Sequence, residues 1–203
     1  MVNRLIHSIL KTFFNLLYHQ FAWSYDRVAD IVSIGRWKGW VFTISPYLGD
    51  GRILELGCGP GHLQAKLFSD HQGIYGLDSS SQMLRQAQRN LSADQISGNL
   101  VMAEAQLLPF QDRSFPTIVA TFPSNYITDS QTLEQVWRVL KEGGQMIILP
   151  AAWISGKGLL DRLAAWVFSV TGESPDFNDD DFPGSLALSI ERLVGFGFEV
   201  SHD

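Results

Sequence analysis

The residues most able to do chemistry form one short run, Glu55-Leu56-Gly57-Cys58-Gly59-Pro60-Gly61. It continues from the apolar pair Ile53-Leu54, which indicates a short strand that ends at the run. Glycine at alternate positions permits positive φ and lets a ligand approach the backbone, because no side chain stands in the way. The run therefore predicts a ligand-binding turn at the carboxyl end of a strand, where open α/β sheets bind their ligands.

The glycine spacing separates two classes of cofactor. A dinucleotide-binding fingerprint places its last glycine where this chain has His62. Glu55, at the end of the predicted strand, can serve a cationic amino-acid group better than a pyrophosphate. A nicotinamide-dependent oxidoreductase is thus a disfavoured alternative, although a glycine-rich turn alone does not exclude it.

A second carboxylate, Asp78, follows another short apolar stretch and lies 21 positions after Gly57. Its two oxygens can accept hydrogen bonds from both hydroxyls of a ribose. That role is common to proteins that bind NAD and to proteins that bind S-adenosylmethionine (SAM), so Asp78 favours a nucleoside without choosing between them. The alternative interpretation is a helix cap in front of Ser79.

Strands and helices alternate around these carboxylates. Strands are predicted over 52–56, 73–77, 99–103, 116–121 and 145–149, and helices over 26–44, 62–69, 79–91 and 132–140. The last of these helices should end at Glu142-Gly143-Gly144, before the fifth strand. The alternation predicts an α/β fold of Rossmann-like type, with a central, mostly parallel sheet and helices on both faces.

The same positions resemble a known family, the class I SAM-dependent methyltransferases of the ubiquinone/menaquinone-biosynthesis type (methyltransferase type 11). Glu55 to Gly61 looks like its motif I, and Gly76 to Leu84 is similar to its D-x-S-x-x-M-L run. The segment from Glu104 to Phe110 is similar to the family's D-A-E-x-L-P-F run. The segment from Val136 to Gly144 is similar to its R-V-L-K-P-G-G run. The resemblance covers about residues 50–150 and implies SAM as the cofactor.

The resemblance also implies roles for single residues. Asp78 would bind the ribose, Met83 would pack near the adenine, and Glu104 would accept from the adenine amino group. Tyr25 lies in a Y-D-x-x-A pattern that in this family closes over the cofactor. The residues expected to contact SAM are Tyr25, Glu55, Gly57, Cys58, Gly59, Gly61, Asp78, Ser79, Met83, Glu104, Ala105, Gln106 and Thr121.

Outside the core of residues 49–150, the chain divides into three parts of one domain. Residues 1–48 are interpreted as an N-terminal helical cap, 151–185 as an apolar insert or lid, and 186–203 as a last helix and strand. The chain ends just inside the predicted sixth strand, so either the sequence is truncated or the family's last antiparallel strand is absent. The sheet edge left open would favour self-association, and the oligomeric state stays open.

Composition limits the partners. The net charge of −6 argues against nucleic acid, which requires a broad cationic face. The single cysteine, Cys58, excludes an internal disulfide, so we expect a cytoplasmic protein. The apolar segments 3–22 and 151–172 either pack on the body or touch a membrane surface, which leaves peripheral membrane contact open.

No metal site is predicted, because the five histidines lack ligand spacing and Asp179-Asp180-Asp181 is typical of a solvated loop. Cys58 is interpreted as a small turn residue rather than a nucleophile. The expected activity is SAM-dependent methylation of a small, apolar molecule such as a quinone precursor, isoprenoid or lipid. A SAM-binding partner subunit without catalysis is the alternative. Possible bases are His19, Tyr25, Asp26 and Tyr126, and none is singled out as catalytic.

Overall fold

A computed structural model describes residues 37–68, 73–150 and 198 of the chain. Its helices are α1 (Trp37–Val41), α2 (His62–Leu67), α3 (Ser81–Ala93) and α4 (Ser130–Val139), with 3₁₀-helices at Phe42–Tyr47 and Asn125–Thr128. Its strands are β1 (Ile53–Leu56), β2 (Ile74–Asp78), β3 (Asn99–Met102), β4 (Phe115–Thr121) and β5 (Leu140–Leu149).

The five strands form one sheet in the order β3-β2-β1-β4-β5, and each neighbouring pair is parallel. Successive strands first add on one side of β1 and then, from β4, on its other side. This reversal creates a crevice at the carboxyl ends of the strands beside β1, which is where doubly wound sheets bind ligands. The predicted Rossmann-like α/β fold is confirmed.

Apolar side chains fill both faces of the sheet. Leu54, Leu56 and Ile118 belong to a cluster that includes the α4 residues Val136 and Val139. The intervening strand positions point the other way, because successive side chains of a strand alternate between faces. The second cluster contains Ile53, Val119 and Ile74 from the strands, Leu63 and Leu67 from α2, and Val41 and Ile44 from the N-terminal segment.

The predicted boundary between the last helix and the fifth strand is wrong. The helix ends at Val139, and β5 begins at the next residue rather than at Gln145. Phe115 pairs with Leu140 and Thr117 pairs with Gln145, so residues 141–144 bulge from the ladder. The two glycines therefore mark a bulge inside the strand, because glycine's freedom signals an irregular backbone without saying which element contains it.

The helix predicted over 26–44 also differs where it can be compared. From Trp37 the chain forms α1 and then a 3₁₀-helix that extends to Tyr47 and contains Pro46. The tighter i to i+3 pattern accommodates the proline, which would interrupt a longer α-helix. Residues 26–36 and the apolar segment 3–22 lie outside the described residues, as does the predicted last helix and strand of 186–203 apart from Phe198.

Candidate cofactor site at the carboxyl edge of the sheet

The turn between β1 and α2 depends on glycine at three positions. Gly57, Gly59 and Gly61 have φ values of 71°, 49° and 78°, all in the left-handed region. Residues with a Cβ rarely adopt these values, at a cost of roughly 1–2 kcal/mol each. Alternating left-handed residues turn the chain from the end of β1 directly into α2.

The surroundings of the three glycines differ. A Cβ on Gly57 would lie 2.6 Å from the hydroxyl of Tyr126, and one on Gly61 would lie 3.0 Å from the Cβ of Ala87. A Cβ on Gly59 would meet nothing within 4 Å. Gly57 and Gly61 are thus required by packing, whereas Gly59 borders open space in the crevice.

The backbone N–H groups of the turn point into the protein. Gly57 and Cys58 both donate to the carbonyl of Leu77, at 2.8 and 2.9 Å, and Gly61 donates to the carbonyl of Cys58 at 3.0 Å. Gly59 donates to Oδ2 of Asp78 at 2.9 Å. Pro60 has no N–H, so the turn differs from a pyrophosphate cradle, which presents free N–H groups to the anion.

Asp78, at the end of β2, links this turn to the next one. It is buried, and its Oδ1 accepts from the N–H of Ser80 at 2.7 Å while Oδ2 accepts from Gly59. The cap of α3 is Ser80, whose hydroxyl accepts from the N–H of Met83. The interpretation of Asp78 as that cap is therefore wrong. A carboxylate oxygen can accept more than one hydrogen bond, so these contacts are compatible with a ribose role.

Glu55 is a buried carboxyl at the end of β1, with a relative exposure of 2%. Its two oxygens accept from the side-chain amide of Gln64 and from the hydroxyl of Thr121, the latter at 3.1 Å. Burial raises the pKa of Glu55 to about 8, against the lowering effect of the two hydrogen bonds, and repulsion from Asp78 adds to the rise.

Two candidates for covalent or proton chemistry have structural positions. Cys58 is buried against Gly76, and burial raises the pKa of its thiol well above the ordinary value. Tyr126 donates its hydroxyl to the carbonyl of Leu56 at 3.0 Å, and burial likewise raises its pKa. A buried thiol and a donating phenol are unsuited to act as nucleophile and base at neutral pH.

The structure brings Glu55, Asp78 and Thr121 together with the glycine turn. The segment after β3 contributes Glu104, which is exposed, Ala105, which is buried, and Gln106, which is half-buried. Ser79 is exposed beside Asp78, whereas Met83 is fully buried under α3. Tyr25, His19 and Asp26 lie outside the described residues.

Sequence reasoning missed two residues that organise this region. Gln64 on α2 bonds Glu55, and a single glutamine on an amphipathic helix carries no signal of that contact. Arg138 on α4 donates to the carbonyls of Leu108 and Phe110, at 2.9 and 2.8 Å, and so holds the segment that follows β3. The R-V-L-K run predicts the joint between a helix and the following strand, but it does not predict these contacts of Arg138.

Proteins of known function resemble this chain along most of its length. A family model described as a methyltransferase domain matches residues 53–144. A demethylmenaquinone methyltransferase of Thermotoga maritima is 31% identical over 92% of this chain and 88% of that protein. The ubiquinone/menaquinone biosynthesis C-methyltransferase of Vibrio campbellii is 32% identical over 86% of this chain and 71% of its own length.

This chain belongs to the class I SAM-dependent methyltransferases of the ubiquinone/menaquinone type. It is an enzyme, and its cofactor is SAM.

Solved structures agree on the fold of the methyltransferase. A SAM-dependent methyltransferase of Thermotoga maritima, described as a possible histamine N-methyltransferase, superposes with a TM-score of 0.60 at 20% identity, over 91% of this chain and 81% of that one. A SAM-dependent methyltransferase of Methanococcus maripaludis gives 0.58 at 19% identity, over 99% and 85%. Because the chain belongs to a SAM-dependent family, the nicotinamide-dependent alternative is not supported.

The residues at the crevice fit SAM. Its cationic amino-acid portion suits the buried carboxyl of Glu55, its ribose suits Asp78, and open space borders Gly59. Among the described residues, no helix is long and apolar enough to cross a membrane. Nor does that part of the chain contain a group of three or more His, Cys, Asp or Glu side chains that could hold a metal ion.

Proposed function

We propose that this methyltransferase transfers the methyl group of SAM to a small, apolar acceptor of the quinone-precursor class. The observation that supports the acceptor is the likeness to a demethylmenaquinone methyltransferase along most of both chains. The observation that supports the position of the cofactor is the pair of buried carboxyls, Glu55 and Asp78, at the carboxyl ends of adjacent strands.

Each part of the crevice then has a role. Asp78 accepts from the ribose hydroxyls as well as from the N–H groups of Gly59 and Ser80, and Gly59 lets the cofactor pass close to the backbone. Glu55 faces the ammonium of the amino-acid portion, with Thr121 holding one of its oxygens. Cys58, Gly57 and Gly61 give the turn its shape.

The segment after β3 would hold the adenine. Glu104 accepts from the exocyclic amino group, Ala105 and Gln106 form the wall, and Ser79 borders the ribose from the start of the next turn. Met83 supports this wall from beneath, since its side chain is completely buried. Tyr25 would close over the cofactor from the N-terminal cap of residues 1–48.

SAM supplies the methyl group and the sulfonium that leaves as a neutral thioether. The protein's residues contribute by positioning the two reactants and excluding water, which can account for several kcal/mol of a barrier. An acceptor with an enol or phenol needs to lose a proton for its ring carbon to react. Tyr126 is committed to the carbonyl of Leu56, so we assign no base among the described residues.

The flanking segments would meet the acceptor. Residues 151–185 carry many apolar side chains and would cover a lipophilic molecule, and 186–203 would supply a last helix and strand. Because such an acceptor partitions into membranes, we propose that a cytoplasmic protein touches the membrane surface through 3–22 or 151–172.

A methyl-transfer assay tests the proposed function. The protein is incubated with methyl-labelled SAM and three acceptors: a short-chain demethylated naphthoquinol, a catechol and histamine. We expect label in the naphthoquinol, on a ring carbon, and much less in the other two. Label confined to histamine or the catechol would contradict the proposed acceptor while leaving the cofactor assignment intact.

A further inference from the structure

Gln64 is placed where a buried, neutral side chain acts on the carboxyl of Glu55. It lies on α2 with a relative exposure of 1%, and its Nε2 donates to Oε2 of Glu55. Its own Oε1 has no hydrogen-bond partner among the described residues. An unpaired buried amide oxygen costs free energy, so packing alone does not explain a glutamine here.

The neighbouring strand makes room for this amide. A Cβ on Gly76 would lie 2.8 Å from Nε2 of Gln64 and 2.9 Å from Sγ of Cys58. Only a glycine at this point of β2 lets the glutamine reach across to β1. The site is thus built for the contact between Gln64 and Glu55.

The charged and titratable groups around Glu55 come from three sides. Asp78 lies at the end of β2, Cys58 in the glycine turn and Tyr126 in the 3₁₀-helix after β4, and each is acidic or neutral. Among the described residues, the side chains shown to donate to Glu55 are the neutral Gln64 on α2 and the neutral Thr121 on β4. Burial, together with repulsion from Asp78, raises the pKa of Glu55 to about 8, which favours the protonated carboxyl near neutral pH.

An amide suits a carboxyl that changes its charge. Its NH₂ donates to a carboxylate, and after a half-turn of the amide its oxygen accepts from a carboxylic acid. We propose that Gln64 is a positioning residue that serves Glu55 in both states, so that Glu55 is neutral in the free protein and ionised against the cofactor's ammonium, and cofactor uptake releases a proton. This inference rests on the proposed position of the amino-acid portion beside Glu55.

Calorimetry on the full chain tests the inference. S-adenosylhomocysteine carries the ammonium, whereas 5′-methylthioadenosine has the same nucleoside and sulfur without the amino acid. Titrations between pH 6 and 8, in two buffers of different ionisation enthalpy, count the protons released. We expect S-adenosylhomocysteine to release close to one proton at pH 7. Below the midpoint, its affinity should rise nearly tenfold for each unit by which the pH increases. Methylthioadenosine should release none.

Two variants separate positioning from folding. Gln64→Met keeps the length of the side chain but has no donor or acceptor, so affinity for S-adenosylhomocysteine should fall about tenfold. Its affinity for methylthioadenosine should stay unchanged, which also reports that the turn is folded. Glu55→Gln should abolish the proton release, and Gln88→Met, at an exposed position of α3, should change neither affinity.

Two results would overturn the inference. One is proton-neutral binding of S-adenosylhomocysteine to the unchanged protein across this pH range. The other is an equal loss of affinity for both ligands in Gln64→Met, which would make Gln64 merely structural. If no adenosyl compound bound, that result would instead contradict the proposed function, and the inference that rests on it would also be wrong.

Discussion

Two polar networks hold loops at opposite edges of the sheet, and they are satisfied to different degrees. At the amino edge, the guanidinium of Arg138 donates to two backbone carbonyls and to the side chains of Gln135 and Asp112. The backbone N–H groups of Arg113 and Ser114 donate to the carbonyls of Arg138 and Val139. At the carboxyl edge, Glu55 is buried with neutral donors and Gln64 retains an unpaired oxygen. The first network is complete in itself, which indicates a structural role. Among the described residues, the second network presents no cation to the buried Glu55, which indicates a place for a ligand.

The strongest test of this contrast removes Asp78 from the carboxyl edge. In Asp78→Ala, cofactor affinity should fall by about 3 kcal/mol, roughly a hundredfold, because two ribose hydroxyls and the N–H of Gly59 lose a charged acceptor. Asp78→Asn retains one acceptor oxygen, so its cofactor affinity should lie between those of the unchanged protein and Asp78→Ala. Isothermal titration with S-adenosylhomocysteine measures both, and unchanged affinity in the alanine variant would refute the ribose role.

The amino edge should respond in stability rather than in binding. Arg138→Met leaves the carbonyls of Leu108 and Phe110 without their donor, which should reduce the free energy of unfolding by about 2–3 kcal/mol. Breaking only the exposed ion pair, by Asp112→Asn, should cost less than about 1 kcal/mol.

Urea unfolding measures these losses, with the exposed Arg89→Met on α3 as a matched control. Cofactor affinity of folded Arg138→Met should change less than about threefold. A large loss of affinity with little loss of stability would reverse the roles assigned to the two edges.

The charge state of Glu55 makes the carboxyl edge sensitive to pH. Its ordinary pKa is about 4.5, and burial raises the pKa to about 8 in the folded protein, so the folded state holds a proton that the unfolded state releases. The free energy of unfolding should therefore fall as pH rises from about 4.5 to 8, by up to about 1.4 kcal/mol per unit. Glu55→Gln should lack this slope. Parallel pH profiles for the two proteins would contradict the burial of a neutral carboxyl.

The smallest expected difference lies between two glycines of the same turn. Gly57→Ala brings both positive φ and a clash with Tyr126, whereas Gly59→Ala brings only positive φ, so the first should be less stable by about 1 kcal/mol. Adding Tyr126→Phe should recover part of the loss in Gly57→Ala, because it removes the clashing hydroxyl. Thermal unfolding measures stability, and titration with S-adenosylhomocysteine should show the larger loss of affinity for Gly59→Ala. Equal effects at both positions would mean that no ligand approaches Gly59.

Much of the fold follows from local pattern. The apolar runs of β1 and β4 and the glycine turn after Leu56 were predictable because buried parallel strands and tight turns have strong residue preferences. The start of β5 was not, since Gly143-Gly144 is compatible with either a helix end or a bulge. Pairing with β4 decides between them, and pairing is not a local property.

By itself, the amino-acid sequence determined the fold class, the glycine turn, the two carboxyls and the family resemblance that names the cofactor. Each depends on residue type and spacing along the chain. Only the tertiary structure decided that Gln64 reaches Glu55, that Tyr126 is locked to Leu56, and that Asp78 joins two turns. These contacts connect separate elements, and the burial that shifts the pKa of Glu55 arises only when those elements pack together.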